Sequence, residues 1–213
     1  MTTLAAGGNG HPGRIGPNAI TRLTETLDGV EGEGAGARTL ERAGLVAYVA
    51  TPPDHMVDET EVIALHAAVR QAFGHGRADT LSWLAGRRTG DYLLANRIPK
   101  AVQRILKLLP PPIAARVLLK AIAAHSWTFA GSGVFRVKGF APVTVEIVDC
   151  PLCRGHHADR PSCTYFAATM ERIFSILVHP DTKVTETTCG ALGALACTFV
   201  IDWRRKSPGR YPR

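Results

Sequence analysis

A carboxylate and two cysteines lie close together near the end of the sequence, in the stretch VTETTCGALGALACTFVI at 184–201. Glu186 precedes Cys189 by three residues, and Cys197 follows eight residues later on the second strand of a predicted hairpin. Side chains three residues apart in a regular strand point to opposite faces of the sheet. The two side chains therefore converge only if the chain bends near Thr188–Gly190, where the glycine permits such a bend. Zinc accepts thiolate and carboxylate ligands, so this hairpin is a candidate metal site.

A tetrahedral metal needs a fourth ligand, and Cys163 is placed to supply it. This cysteine stands where a predicted helix begins, and the dipole of a helix favours a thiolate at its amino end. Three sulfurs and one oxygen form an acceptable zinc set. The candidate ligands are Cys163, Glu186, Cys189 and Cys197.

A second group of residues competes with this set. Cys150 and Cys153 form a CxxC pair in the loop CPLCRGHHADRPS, and His156 and His157 follow closely. A CxxC pair with histidines is a familiar metal signal, but no second pair at zinc-finger spacing accompanies it. A redox dithiol is another interpretation, although the helix that such a motif should open is not evident. Burial of the cysteines as small hydrophobic residues is a further one, so the sequence leaves these alternatives open.

The composition limits the kind of protein and its partners. The N-terminus MTTLAAGGNGHPG lacks the basic start and apolar run of a signal peptide, and the chain has five cysteines. An odd number of cysteines without an export signal argues against a disulfide framework, so we expect a cytoplasmic protein with reduced thiols. The net charge of +7 indicates an acidic partner or an anionic surface. No helix-turn-helix or stacking-aromatic motif appears, so we expect no nucleic-acid partner.

Hydrophobic periodicity predicts helices in the first part of the chain and mainly strands in the rest. The pattern changes beyond His125, where β-branched and aromatic residues with Gly and Pro breaks replace the helical spacing. The predicted helices cover 17–28, 38–44, 58–73, 77–97, 99–109, 113–125 and 163–178, and the predicted strands lie within 127–139, 142–149 and the hairpin at 184–201. This order predicts an α+β fold in which a helical N-terminal half packs with an antiparallel sheet of order β-β-α-β-β.

We expect one domain with irregular ends. A glycine-rich, disordered N-terminus covers 1–14, and the domain covers 15–203, with a helical part at 15–125 and a sheet-containing core at 126–203. A basic tail at 204–213 ends the sequence.

The predicted helix at 99–109 has a basic side. Lys100, Arg104 and Lys107 recur at helical spacing, and Arg97 precedes them. The opposite side carries the apolar residues Val102, Ile105, Leu106 and Leu109. Such a helix is most often a solvated surface helix. It would also suit the carboxylates of a ligand, or a membrane surface, which would place the protein at the membrane periphery.

The ending TETTCGALGALACTFVI, with Cys163 at the start of the preceding helix, resembles the 4-vinyl reductase domain over roughly residues 125–203. This small-molecule-binding module is found also in bacterial sensors of aromatic compounds, in which the matching positions bind zinc. The resemblance thus implies zinc on Cys163, Glu186, Cys189 and Cys197. Outside the domain, RIGPNAI, LLANRIP, AARVLLKAIAAHSWTFAGSG and CPLCRG resemble the bacteriochlorophyll 4-vinyl reductase family of purple photosynthetic bacteria.

This resemblance implies a role in bacteriochlorophyll biosynthesis, traditionally described as reduction of the 8-vinyl group of divinyl protochlorophyllide. Reduction needs an electron donor, yet the GxGxxG at Gly8, Gly10 and Gly13 follows no strand and opens no helix. Zinc with four protein ligands has neither redox chemistry nor an open position, whereas an iron–sulfur cluster, a lesser alternative, would carry electrons. We therefore predict a tetrapyrrole carrier or accessory factor, with reduction by an external electron donor as the alternative.

A carrier needs apolar side chains to cover the ring and cations to pair with its carboxylates. The candidate tetrapyrrole contacts are Arg97, Lys100, Arg104, His125 and Trp127. The arginines and the lysine would pair with propionate, and His125 would ligate a central magnesium ion. The expected partners are a chlorophyll-precursor tetrapyrrole and the enzymes of the bacteriochlorophyll pathway. Related domains often pair through their helices, so a homodimer is expected as well.

Overall fold

The structure is a computed structural model that describes residues 13–204. The predicted disordered N-terminus and the predicted basic tail lie almost entirely outside these residues. The helices are α1 (Asn18–Glu31), α2 (Ala35–Arg42), α3 (Ala47–Ala50), α4 (Glu59–Asn96), α5 (Lys100–Leu108), α6 (Pro111–Ala124), α7 (Trp127–Ala130) and α8 (Thr164–Leu177). The strands are β1 (Arg14–Ile15), β2 (Val57–Asp58), β3 (Val134–Phe140), β4 (Val143–Val148), β5 (Lys183–Thr188) and β6 (Ala196–Asp202).

Four strands form one antiparallel sheet in the order β3-β4-β6-β5. In the chain, α8 lies between the two hairpins of this sheet, which confirms the predicted α+β fold of order β-β-α-β-β. β4 alternates buried and half-buried residues, as a strand does when one face packs on a core. β1 and β2 pair separately as a short second sheet. Over 13–204, no helix is long and apolar enough to cross a bilayer.

α4 is the longest helix in the described part of the chain. Asp58 caps its start by accepting a hydrogen bond of 2.8 Å from the Thr60 backbone N–H. The sequence predicts two helices, at 58–73 and 77–97, whereas α4 runs through both with a kink at Gly74. The φ of 74° at Gly74 is one that glycine adopts without strain, so the chain can bend here and continue as a helix.

α4 and α8 pack closely because two glycines of α4 face α8. A Cβ at Gly86 would overlap the backbone carbonyl of Tyr165, and a Cβ at Gly90 would lie 2.7 Å from the Cβ of Arg172. Larger residues at these positions would push the two helices apart. This contact joins the helical half to the half that contains the sheet.

The segment predicted as a strand at 127–139 is only partly a strand. Residues Trp127–Ala130 form the short helix α7, and β3 begins at Val134. The backbone N–H of Ala130 donates to the carbonyl of Ser126 at 2.8 Å. These local hydrogen bonds outweigh the strand preference of the aromatic residues, which is a weak and context-dependent preference.

α5 presents a different side to the core than its sequence pattern predicts. The buried residues of α5 are Gln103 and Leu106. The Gln103 amide donates a hydrogen bond to the backbone carbonyl of Leu94, which fixes this side of the helix toward the protein. Val102 and Ile105, predicted on the apolar side with Leu106, are 41% and 58% exposed. The apolar side of α5 is therefore largely uncovered.

Glu59, in the first turn of α4, is a buried carboxylate that joins the helical half to the loop after β4. It accepts hydrogen bonds from the backbone N–H and the hydroxyl of Ser132, at 2.8 and 2.7 Å, and pairs with the guanidinium of Arg154. Arg154 also pairs with Asp149 at 3.0 Å. Burial alone would raise the pKa of Glu59, but the hydrogen bonds from Ser132 and Arg154 lower it. Glu59 is therefore an ionised anchor for the loop that carries Arg154.

Replacing Glu59 by glutamine is expected to lower the free energy of unfolding by ~2–3 kcal/mol, because Arg154 would keep a partly buried charge with a weaker partner. Glu33, an exposed carboxylate between α1 and α2, provides the control. Glu33→Gln is expected to change the same quantity by less than ~0.5 kcal/mol. Urea unfolding followed by circular dichroism measures both variants, and equally small effects would contradict the anchoring role of Glu59.

Candidate metal centre

All five cysteines converge where the sheet, the start of α8 and the loop after β4 meet. Cys197 lies in β6, and Cys189 directly follows β5. Cys163 immediately precedes α8, and Cys150 and Cys153 bracket a short 3-10 turn after β4. None of the five is more than 7% exposed, so the protein shields the cluster from solvent.

The sulfur of Cys153 contacts three others in the cluster. Its Sγ lies 3.0 Å from that of Cys163 and 3.4 Å from those of Cys189 and Cys197. The Cys163 Sγ lies 3.5 Å from that of Cys197 and 3.4 Å from that of Cys150. Sulfurs around one tetrahedral zinc lie roughly 3.8 Å apart when each Zn–S bond is ~2.3 Å long. The cluster is therefore compact enough to close around a metal with little movement.

A bulge in β5 brings Glu186 to the side of Cys189. The pairing of β5 with β6 shifts by one residue between Glu186 and Thr188, so that Thr187 is an extra residue on β5. With one residue taken out of the alternation, side chains three apart can share a face. A 3-10 turn at Gly190–Leu192 then leads the chain toward β6. The predicted bend thus consists of a bulge followed by a turn.

The Glu186 carboxylate is positioned to receive a cation. Its Oε2 accepts a hydrogen bond of 2.8 Å from the Cys163 backbone N–H, whereas its buried Oε1 has no hydrogen-bond partner within the described structure. Burial, together with the charge of Cys189, raises the pKa of Glu186 to about 9. A divalent cation would provide a partner for Oε1 and would favour the ionised carboxylate.

Two groups of four side chains are close enough to hold a metal ion, because in each group the ligand atoms lie within 4.8 Å of one another. The first group is the predicted set, Cys163, Glu186, Cys189 and Cys197. The second group is Cys150, Cys153, Cys163 and Cys197. Neither group includes His156 or His157, and His156 instead stacks on His75 with ring centres 5.3 Å apart. The structure thus joins the CxxC pair to two cysteines of the first group rather than to the histidines.

Arg70, on α4, brings a positive charge near the cluster. Burial lowers the pKa of its guanidinium, while interactions with Cys153, Cys163 and Asp79 raise it. Burial, with the charge of Arg70, lowers the pKa of His66, one turn earlier, to about 3. His66 is therefore neutral near pH 7, and Arg70 offsets negative charge on the sulfurs.

The three cations predicted to contact a tetrapyrrole lie at the end of α4 and on α5. The guanidinium of Arg97 lies over the ring of Tyr92, 6.0 Å from its centre. The Lys100 ammonium donates to the backbone carbonyl of Leu94 at 3.2 Å. Arg104 is exposed on the next turn of α5. The structure brings these cations into one segment, with Lys100 already partly engaged.

The other two predicted tetrapyrrole contacts follow α6. The Nδ1 of His125 lies 2.9 Å from the Ala121 carbonyl, and Trp127, at the start of α7, is 38% exposed. Two surface clefts have volumes of about 350 and 360 Å³; the first is lined by the β3–β4 turn and the end of β6, and the second by α1 and α4. None of the five predicted tetrapyrrole contacts lines either of these clefts.

Comparisons with known proteins agree with the position of the cluster. The model of the 4-vinyl reductase domain matches residues 143–202, which run from β4 to β6 and include the five cysteines and Glu186. The chain is 47% identical over 188 residues to the bacteriochlorophyll synthase 23 kDa chain of Cereibacter sphaeroides, covering 88% of this chain and 90% of that protein. It is 44% identical over 194 residues to the protein of the same name from Rhodobacter capsulatus, covering 91% of this chain and 89% of that one.

A solved structure resembles the chain in its fold. It is a Cs H-NOX mutant with 4-cyano-L-phenylalanine at site 5, which is 16% identical, has a TM-score of 0.51, and is matched over 90% of this chain and 97% of its own. At this identity the likeness concerns the fold alone. The similarity to the two 23 kDa relatives, in contrast, extends along most of both sequences and well beyond the 4-vinyl reductase domain. The chain therefore belongs to the family of the bacteriochlorophyll synthase 23 kDa chain.

Proposed function

We propose that the protein is an accessory factor of bacteriochlorophyll biosynthesis that binds a chlorophyll-precursor tetrapyrrole and passes it between enzymes of the pathway. The names of its relatives, chains of bacteriochlorophyll synthase, support the pathway and an association with its enzymes. One observation carries the choice of ligand: α5 and α6 present an exposed surface that is both apolar and basic.

This surface, the α5–α6 face, consists of the exposed apolar side chains Val102, Ile105, Leu108, Ile113 and Val117. Leu108 is 85% exposed and Ile105 58%. Isolated exposed apolar residues are common, but a group of them on two consecutive helices is typical of a binding surface. A planar apolar macrocycle is a suitable occupant of such a surface.

Basic residues accompany the α5–α6 face and no acidic residue does. The exposed cations on these two helices are Lys100, Arg104, Lys107, Arg116 and Lys120. The sequence contains no Asp or Glu from 97 to 145. On α5 the helical repeat places the cations in a stripe beside the exposed Val102 and Ile105. A chlorophyll precursor combines an apolar ring with a carboxylate, so this arrangement complements both parts of the ligand.

His125 and Trp127 extend the proposed site beyond α6. The contact of His125 Nδ1 with the Ala121 carbonyl fixes the orientation of the imidazole and leaves Nε2 for another partner. In this proposal that partner is the central magnesium ion of the tetrapyrrole. The indole of Trp127, 38% exposed, would lie against the ring.

The cysteine cluster, in this proposal, holds zinc as a structural ion. The orphaned Oε1 of Glu186 and the closely spaced, buried sulfurs fit such an ion. When bound, zinc supplies folding free energy by tying the start of α8 to β5 and β6. Four protein ligands leave no open position on the ion, so the substrate is bound elsewhere.

A second function, reduction of the 8-vinyl group of divinyl protochlorophyllide, is favoured by one observation. The group Cys150, Cys153, Cys163 and Cys197 contains only sulfur, which is the ligand set of iron–sulfur clusters. Conversion of vinyl to ethyl consumes two electrons and two protons, so this function also needs an external donor such as a reduced ferredoxin. Iron in the purified protein would favour this second function.

Titration of the purified protein into divinyl protochlorophyllide tests tetrapyrrole binding. We expect a saturable shift of the pigment absorbance, and Arg104→Glu should raise the Kd about tenfold, since loss of a cation–carboxylate contact costs about 1.4 kcal/mol. Arg42→Glu, at an exposed position on α2, is the control and should leave the Kd unchanged. The absence of a saturable shift would contradict the proposal. Competition by pigment-free anionic vesicles would instead assign the α5–α6 face to a membrane surface.

A further inference from the structure

The two groups of potential metal ligands share two cysteines. Cys163 and Cys197 belong to both groups, whereas Cys150 and Cys153 belong only to one and Glu186 and Cys189 only to the other. Together the groups contain five sulfurs and one carboxylate. Two tetrahedral ions that share an edge need six ligand groups, of which two bridge both ions. The composition of the cluster matches this count.

We propose that the cluster is a two-metal centre in which the thiolates of Cys163 and Cys197 bridge two zinc ions. Cys150 and Cys153 complete the first ion, and Glu186 and Cys189 complete the second. The CxxC pair and the hairpin ligands are then two halves of one site rather than rival sites. This inference rests on the proposed structural role of a metal and extends it to a second ion.

The distances support shared ligands. The two proposed bridging sulfurs lie 3.5 Å apart, close to the separation of two sulfurs bound to one ion. Cys163 lies 3.4 and 3.0 Å from the sulfurs of Cys150 and Cys153, so one bridging ligand already contacts both terminal ligands of the first ion. On the other side, the Cys163 N–H holds the Glu186 carboxylate at 2.8 Å.

The backbone around Cys197 suits a sulfur that carries negative charge. The N–H of Gly190 donates to the Cys197 Sγ at 3.3 Å, a contact that stabilises a thiolate. A Cβ at Gly190 would lie 3.2 Å from the Cβ of Cys153, so glycine also allows the CxxC loop to approach the hairpin. Both contacts bring the two halves of the centre together.

The charge of a two-zinc centre can be accommodated. Five thiolates and one carboxylate carry six negative charges and two zinc ions carry four positive charges, which leaves two negative charges. Arg70, whose guanidinium interacts with Cys153 and Cys163, offsets part of this charge from α4. With a single ion on the hairpin set, in contrast, Cys150 and Cys153 would remain unligated thiols packed against bound thiolates.

Zinc stoichiometry of the full chain, measured by mass spectrometry of the metal against amino-acid analysis, tests this inference. We expect two zinc ions per chain, and one in the double variant Cys150→Ser/Cys153→Ser, which keeps the hairpin set and should remain folded. One zinc ion per unaltered chain would overturn the two-metal centre while leaving a structural metal in place. No zinc would overturn both, and two ions retained in the double variant would overturn the ligand assignment.

Cadmium substitution tests the bridge itself. Replacing zinc by ¹¹³Cd is expected to give two NMR resonances, each split by the other through the sulfurs of Cys163 and Cys197. Two unsplit resonances would overturn the bridged arrangement, because they would indicate separate ions. Glu33→Gln, outside the cluster, is the control and should leave both resonances unchanged.

Discussion

Replacing Cys163 by serine is expected to abolish zinc binding and to lower the midpoint of thermal unfolding by roughly 10–20 °C. Its sulfur contacts those of Cys150, Cys153 and Cys197, and its backbone N–H holds Glu186. No other side chain of the cluster connects the CxxC loop, the start of α8 and the β5–β6 hairpin in this way within the described residues. Loss of this ligand therefore removes the metal link among all three elements.

The effect of Cys163→Ser can be separated from simple loss of packing. Cys150→Ser, at the edge of the cluster, is the matched control and should lower the same midpoint by less than half as much. After removal of the metal with a chelator, the unaltered protein and Cys163→Ser should unfold at similar temperatures. Unchanged zinc content in Cys163→Ser, or an equal difference in midpoint with and without chelator, would contradict a metal-based role.

The double variant Ile105→Ser/Leu108→Ser is expected to weaken tetrapyrrole binding by roughly 10- to 100-fold, since each side chain would lose about 1–1.5 kcal/mol of apolar contact. Both side chains are largely exposed, at 58% and 85%, so the free energy of unfolding should change little. Equilibrium absorbance titration with divinyl protochlorophyllide measures the Kd, and circular dichroism measures stability.

A matched control exists near α3, outside the α5–α6 face. Val46 and Val49 are 61% and 41% exposed, and Val46→Ser/Val49→Ser removes comparable apolar surface. This control should leave the Kd within about twofold of the unaltered protein, because these residues are not part of the proposed site. An equal loss of affinity in both double variants would contradict the assignment of the tetrapyrrole to the α5–α6 face.

Local sequence patterns predict most of the fold. The spacing of apolar residues indicates α1, α6 and α8 to within a few residues, and β-branched runs indicate β4 and the β5–β6 hairpin. The patterns fail where a local preference meets another constraint. Residues 127–130 have strand-like side chains but form α7, and the side of α5 that faces the core follows from the hydrogen bond of Gln103 to the Leu94 carbonyl. Neither outcome can be read from hydrophobicity.

The candidate metal centre depends on contacts between distant parts of the chain. Sequence alone presents the CxxC pair as a rival of the hairpin ligands because the two lie far apart along the chain. The pairing of β4 with β6 places Ile147 opposite Cys197, and Cys150 follows Ile147 by three residues. A predicted β4–β6 pairing would therefore have brought the rival sets together, but strand order cannot be deduced from the local pattern.

The most direct test of the account is a single-turnover measurement on the metal-loaded protein saturated with divinyl protochlorophyllide. NADPH or reduced ferredoxin is added, and the pigments are separated by chromatography to follow the 8-vinyl group. The account predicts a stable complex with a shifted pigment spectrum and no loss of the vinyl group. Conversion of the bound pigment to the ethyl product would contradict the accessory role and identify the protein as the reductase.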